Sequence, residues 1–600
     1  MDKDKQDLKV GLVQSELTAK YLWDQKKEYY ALYAPEIISQ FGLPFEKVSD
    51  EDLKVLENIR QLPAVILPSV ILMHTDVGNT VRDYVRQGGI LVGIGPTGLL
   101  NERGEPYDSF MMKGLLDDFF GIRRIDYIAN DGFLSSSPNK HFINREICPK
   151  LKFRGPYYKC ENCQDSVPLT LLTDAIGSIE GVGAALRNSG DGFSIYFVPD
   201  LLKSMFFLQQ SHDPFTNSFD VPVSDLMKRM IVRSIAWGLL QRKRFLVQKH
   251  YWPNVSKAVV VFTHDVDGGI TDHFSDVLSI EKKHGIRSTF YIQPMYQIAR
   301  SVLLKAYEGG WEIGAHCVWC SPTGVCQIHD DDHINQEGFI QQKKELERVL
   351  GRKILGNRNH ILHWKGDVES WLYLERAGFG YDSTKGDFST GQWRGPGFAW
   401  GTCFPYRPLS EHDEQNRIMR IIELPLLVED AHWYSREKGI YFSPFLDWGL
   451  QKCISLFETV YRFNGLAVYL FHPGWIGGPG HAEGTYDELI NYVKEKKDVL
   501  VLRGEDVVDW WNKRENANIH ALQKDSVVHV EALGPSPNGL TIVVSSPTDF
   551  KLERVNHENG SVCPHKFLTE DDMDKVAVVL PQIENGESLG LVFEYVEKQR

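Results

Sequence analysis

Long apolar runs are missing from this chain of 600 residues. No stretch approaches the ~20 apolar residues of a membrane helix. The longest candidate, residues 64–73, is short and is interrupted by Pro68 and Ser69. No membrane partner is therefore expected. The opening Met1-Asp2-Lys3-Asp4-Lys5-Gln6-Asp7 is charged and has no apolar leader core, which predicts a cytoplasmic location. An excess of positive charge is also missing. The formal net charge is -14, which argues against nucleic acid as the main partner. Cysteine is sparse, nine in all and an odd number, which suits a reducing compartment better than a disulfide framework. Internal repeats and low-complexity tracts are absent. What is present is apolar and aromatic mass, 42% and 12% of residues, enough for large cores. The length allows roughly three to five domains.

The first region, 1–245, alternates strand and helix signals. Strand candidates are Lys9-Val10-Gly11-Leu12-Val13, Ala64-Val65-Ile66-Leu67 and Ile90-Leu91-Val92-Gly93-Ile94, with helices over 29–41 and 79–87. This rhythm predicts a parallel sheet with crossover helices. Residues 225–240 read as a long amphipathic helix. Gly93-x-Gly95-x-x-Gly98 matches a dinucleotide fingerprint in spacing, but Pro96 interrupts it and no long helix follows. The layout resembles the class I glutamine amidotransferase-like fold. The turn Gly95-Pro96-Thr97-Gly98 lacks the nucleophilic Cys of that family, so the resemblance implies a doubly wound, flavodoxin-like scaffold without its chemistry. Residues 241–253 form a basic, aromatic connector. From Ala517 onward, in region 516–600, short strands separated by Pro, Gly and Asn predict a small β-sandwich.

The middle region, 250–515, carries the residues with chemistry. Ala258-Val259-Val260-Val261-Phe262 reads as a buried strand, followed by Thr263-His264-Asp265-Val266-Asp267-Gly268-Gly269. Alternate side chains share one face of a strand, so Asp265 and Asp267 can converge where strands of α/β folds place their chemistry. One acid can hold a metal while the other moves a proton. Four more apolar stretches end in polar residues: Glu312-Ile313-Gly314-Ala315-His316, Gly356-Asn357-Arg358-Asn359-His360, Gly380-Tyr381-Asp382-Ser383-Thr384 and Val468-Tyr469-Leu470-Phe471-His472. Singly, each reads as a hydrogen-bonded structural group. Together they point to one site.

Their order, over about 257–511, resembles the polysaccharide deacetylases of carbohydrate esterase family four. That resemblance implies a distorted (β/α) barrel and metal-dependent removal of an N- or O-acyl group. It implies Asp265 as catalytic base, Asp267 and His316 as metal ligands, Arg358 as the group orienting the base and His472 as general acid. The family's first motif has adjacent acids, whereas Val266 separates them here, and the family's second metal-binding His falls on Cys320. The third ligand is His360 by its nearness to Arg358, with His329, His333 and Cys320 as alternatives. Residues 397–406 and 422–426 resemble a divergent branch with a single His in the second motif and an Arg-x-His third motif. The implied cofactor is a divalent ion, zinc first, with iron, cobalt or nickel also open. Trp364, Trp393, Trp400, Trp433, Tyr434 and Trp475 sit near these motifs, as sugar-stacking rings or as rim packing. Cys160-x-x-Cys163 and Cys317-x-x-Cys320 fall in different regions, so reduced thiols are expected there and not a shared zinc site. The expected partner is a carbohydrate or small-amide substrate. Two other readings remain open: a metal-independent small-amide hydrolase, and a catalytically silent carbohydrate-binding scaffold.

Overall fold

The computed structural model describes all residues except 1–5, 109–112, 148–149, 213–214, 268–270, 294–299, 320–332, 387–394, 412–414, 431–433, 436–439, 442, 477–482, 571–572 and 599–600. The first nine-stranded sheet begins with Phe45–Val48, Val10–Val13, Ala64–Pro68, Ile90–Ile94 and Gly192–Phe197, all parallel. Ala64–Pro68 and Ile90–Ile94 are buried at every position, as covered parallel strands are. Beyond Gly192–Phe197 the sheet continues antiparallel through Ile179–Ser189, Ser166–Thr173, Gly132–Ser136 and Leu151–Phe153. The parallel expectation therefore holds for only part of this layer. The reason is local. Ser166–Thr173 and Ile179–Ser189 are joined by a turn in which Asp174 accepts the N–H groups of Gly177 and Ser178. So short a link cannot cross over to make a parallel pair.

The helix expected over 225–240 forms as Val223–Gln241, but it is not amphipathic in its setting. Asp225, Lys228, Arg229 and Arg233 are buried along with its apolar residues. Its polar positions face protein instead of water. Asp225 accepts from Thr402 Oγ1 and the Cys403 N–H, each at 2.8 Å. Lys228 donates to Gln40 Oε1 at 2.9 Å, and Arg229 and Arg233 both meet Glu146. The polar stripe is thus an interface between the first sheet's layer and the central region.

The C-terminal strands form two antiparallel sheets around one apolar core that includes Val528, Val530, Ile542, Val544, Val578 and Phe593. Both sheets recruit strands from elsewhere. Gln6–Asp7 pairs with Asn518–Lys524, and Leu246–Lys249, from the connector, pairs with Thr541–Ser545. Among the described residues Cys160, Cys163, Cys317, Cys403, Cys453 and Cys563 are free thiols.

The central sheet is a curled parallel layer. Its strands, in chain order, are β1 (Ala258–Val266), β2 (Thr289–Ile292), β3 (Glu312–Cys317), β4 (Gly356–Asn359), β5 (Tyr381–Asp382), β6 (Ile422–Glu423), β7 (Val428–Glu429), β8 (Leu466–Phe471) and β9 (Val499–Val501). The spatial order is β6-β5-β4-β3-β2-β1-β8-β7, with β9 also on β1. β6 and β7 belong to one short segment. It pairs with β5 at its start and with β8 at its end, and the Leu427 N–H reaches the Val468 carbonyl. This segment bridges the two margins of the curl, as in a barrel. Every strand from β1 to β5, and β7 and β8, therefore aims its carboxyl end at one rim.

Candidate metal centre

The rim collects the side chains singled out by the sequence. β1 is buried at all nine positions, and Asp265 and Asp267 project from its carboxyl end on one face. His316 comes from β3, Arg358 from β4, His360 from the turn directly after β4 and His472 from the residue after β8.

Asp267, His316 and His360 place a carboxylate oxygen and two ring nitrogens within 4.8 Å of one another. Asp267 Oδ1 lies 3.3 Å from His316 Nε2 and 3.7 Å from His360 Nε2. Atoms bound at ~2.0–2.1 Å to one tetrahedral ion sit about 3.4 Å apart, so this spacing fits a divalent cation. The ring chemistry fits as well. His316 Nδ1 is 2.9 Å from the Arg358 carbonyl, so Nδ1–H donates there and Nε2 is the atom turned toward Asp267, free to ligate an ion once that ion displaces its proton. Burial, aided by the neighbouring His316, pushes His360 down to about 4, which leaves its imidazole neutral at pH 7. Burial favours a protonated Asp267, but the hydrogen bond and charge of His316, with His472 and His360, outweigh it. They hold this carboxylate below the usual range. The set is one carboxylate and two imidazoles, a pattern suited to zinc or another first-row ion.

Asp265 stands beside this cluster and apart from it. Its side chain is 4% exposed, against 41% for Asp267. Arg358 Nη1 meets Asp265 Oδ1 at 3.2 Å, while Oδ2 lies 3.7 Å from His316 Nε2. Arg358 is itself locked. It donates to Thr263 Oγ1 at 2.6 Å and to the Ser383 carbonyl and hydroxyl at 2.8 and 2.9 Å, and it lies 4.6 Å from the Tyr291 ring centroid. On the far side His472 Nε2 is 3.6 Å from Asp267 Oδ2. His472 Nδ1 is 2.7 Å from Asp430 Oδ1, and its backbone N–H donates to Asp430 Oδ2 at 2.7 Å. Burial opposes a charge on His472, yet Asp430 raises it to about 10. This ring holds its proton at neutral pH, with Nε2–H directed at the cluster.

Two site residues escaped the sequence reading. Asp430 follows β7 and Gln293 follows β2. Gln293 Nε2 donates to Asp267 Oδ1 at 2.6 Å. Both carry the signal that found the others, an apolar run ended by a polar residue, but β7 is only two residues long and is easily passed over. Among the alternatives for the third ligand, His333 is outside the cluster. His329 and Cys320 lie outside the described residues. Asp382, from the third polar stretch, turns away from the cluster. It is buried against Asn357 Nδ2 at 2.7 Å and Thr384 Oγ1 at 2.8 Å.

The aromatic residues divide. Trp364 and Trp400 are fully buried and close over the Lys385 ammonium, at 4.3 and 4.1 Å from Nζ to the ring centroids, so they are packing and not sugar platforms. Trp475 lies against His472, ring centroids 4.2 Å apart. Trp393 and Trp433 lie outside the described residues.

No family model matches the chain, and no curated protein matches it. Solved structures do. The carbohydrate deacetylase Agd3 aligns over 98% of this chain and 99% of its own length, at 11% identity and a TM-score of 0.44. A Mycobacterium smegmatis protein assigned as a polysaccharide deacetylase covers 44% of this chain and 92% of its own, at 20% identity and a TM-score of 0.33. Puue allantoinase covers the same shares at 15% identity and a TM-score of 0.34. The structural neighbours thus include carbohydrate and polysaccharide deacetylases. At this degree of likeness, the chemistry has to be argued from the side chains of this chain.

Proposed function

We propose that this protein is a metal-dependent hydrolase that removes an acyl group, N-acetyl in the first instance, from a carbohydrate. The observation that carries the reading is the juxtaposition at one rim. A cation-fitting Asp267, His316 and His360 set lies beside a separate carboxylate, Asp265, on an arginine, and faces a protonated imidazole, His472, on an aspartate. A divalent ion, when bound there, polarises the acyl carbonyl and lowers the pKa of water. Asp265 accepts the proton of the attacking water. Arg358 aims that carboxylate, because its other donors are already fixed by Thr263 and Ser383. Water adds to the acyl carbon, and the C–N bond then breaks as His472 Nε2–H passes a proton to the departing amine. Asp430 holds the His472 ring in the orientation that transfer needs. The products are a carboxylic acid and a free amine.

The test is acid release from N-acetylated oligosaccharides by the purified chain, before and after chelation. Acetate release that stops with chelator and returns with zinc, cobalt or nickel supports the reading. Release that survives chelation from a metal-free sample contradicts it. Activity confined to small cyclic or linear amides would keep the hydrolase and replace the sugar.

A further inference from the structure

Behind the rim lies a second polar cluster that takes no part in the chemistry above. His264 stands between Thr263 and Asp265 in β1, so its side chain leaves the opposite face of the strand from Asp265. It is fully buried, stacked on Phe290 with ring centroids 4.6 Å apart and edge-on to Tyr486. Its Nε2 is 2.9 Å from Glu281 Oε1 and its Nδ1 3.2 Å from the Phe471 carbonyl. In the imidazolium form the ring donates from both nitrogens, one to each acceptor. Glu281, from the helix Thr271–His284, is equally buried and faces only donors. Tyr486 Oη donates to Oε1 at 2.7 Å, and Ser288 Oγ and Trp311 Nε1 donate to Oε2 at 2.8 and 2.5 Å.

We infer that His264 and Glu281 form a positioning pair that sets the distance between the base on β1 and the acid after β8. The inference rests on the hydrolase reading above. The sequence neighbours of the two bonded groups are the argument. Asp265 directly follows His264, and His472 directly follows Phe471, whose carbonyl the His264 ring holds. One imidazole therefore touches the last carbonyl of the acid-bearing strand from the strand that carries the base. Glu281 anchors that imidazole through Ser288 and Trp311, just ahead of β2 and β3, so the anchor ties the rim at β1 and β8 to the amino ends of two neighbouring strands. A buried ion pair is a weak source of stability and can often be replaced by apolar side chains at little cost. Phe290 and Tyr486 lie against the His264 ring, so an apolar ring fits in its place, whereas the three donors on Glu281 need a polar group there. Stability alone does not account for so polar a pair in such a place. Geometry at the rim does.

The experiment uses the full chain with the double substitution His264→Phe/Glu281→Gln, which removes the imidazole and the carboxylate together while the new amide keeps an acceptor for Ser288 Oγ and Trp311 Nε1 and a donor for Tyr486 Oη. Expected are a thermal midpoint within a few degrees of the parent, unchanged metal stoichiometry and KM, and kcat lower by about tenfold to a hundredfold. In a His472→Ala background the same double substitution should cause no further loss of kcat. Unchanged kcat in the double variant overturns the inference, as does an equal loss in the His472→Ala background. Should the parent release no acid from any acylated substrate, the hydrolase reading fails and the pair is judged separately. In metal-free protein, a proton resonance of His472 Nδ1–H that shifts or broadens in the double variant supports positioning, and an unchanged resonance overturns it.

Discussion

The molecule contains two curled or twisted sheets with parallel strands whose carboxyl ends meet loops, and among the described residues a cation-fitting cluster stands at the strand ends of one of them. In the first sheet the strand Ile90–Ile94 runs into Gly95 and Gly98, both at positive φ, and the polar side chains Thr97 and Tyr196 there bond to the backbone. Thr97 Oγ1 donates to the Ile94 carbonyl at 3.1 Å, and Tyr196 Oη donates to the Gly95 carbonyl at 2.5 Å. Nearby, Asp117 and Arg124 close a buried bidentate pair at 2.7 and 2.8 Å. In the central sheet, the corresponding strand ends carry Asp265, Asp267, His316, His360 and His472. There one carboxylate oxygen of Asp267 and one ring nitrogen each of His316 and His360 converge on one another. The same architectural rule operates twice. A strand end becomes a site only when its side chains leave lone pairs and protons directed at a shared point.

That contrast can be broken by exchanging what each region is asked to do. The largest effect is expected at Asp265. Asp265→Asn should cost turnover about 10²–10⁴-fold while metal content and the unfolding midpoint hold, since general base catalysis carries that weight. Steady-state rates with metal analysis check it, and near-parental turnover would remove Asp265 from the mechanism. Next come the ligands. Asp267→Ala and His360→Ala should each strip the metal at micromolar protein, read by elemental analysis after dialysis, and activity should fall with metal content. His333→Ala should leave the stoichiometry unchanged.

Asp430→Asn sharpens the comparison through pH. Burial is the largest single influence on His472 and lowers it, but the charge and hydrogen bond of Asp430, with the charges of Asp267 and Asp265, together raise it to about 10. Its proton-donating form therefore persists up to that pH in the parent, and the basic limb of kcat should lie there. Without the Asp430 charge, burial dominates and the limb should move down toward neutrality, with a loss of about tenfold to a hundredfold near pH 8. The linked stability has the matching sign. A raised pKa stabilises fully below the unfolded value near 6.5, and the contribution is lost as pH rises through about 10. Asp430→Asn should flatten that alkaline decline in the unfolding midpoint. The smallest effect belongs to the other sheet. Tyr196→Phe removes two buried hydrogen bonds, to the Gly95 carbonyl and from Arg124 Nη2, and should cost about 2 kcal/mol of stability by denaturant titration, with turnover unchanged.

The candidate site was largely legible from sequence because its signal is local. An apolar run that stops at an ionisable residue marks a strand end, and Asp265, Asp267, His316, Arg358, His360 and His472 all follow that form. Asp430 and Gln293 follow it too, but β7 and β2 are short, and their roles depend on partners 42 and 26 residues away. The fold was legible where each strand is buried on both faces and less so where pairing is remote. Nothing near Gln6–Asp7 or Leu246–Lys249 announces that both join C-terminal strands. The helix Val223–Gln241 shows the same limit. Its period was readable, but whether Asp225 and Arg233 meet water or another layer depends on residues such as Thr402 and Glu146, far along the chain.

The most direct test is a metal-loaded crystal structure with anomalous data at the edge of the bound ion. The predicted result is one divalent ion within about 2.0–2.2 Å of a carboxylate oxygen of Asp267 and the Nε2 atoms of His316 and His360, with Asp265 unligated on Arg358. An ion held by other residues, or a stoichiometric sample with none at this rim, would contradict the account.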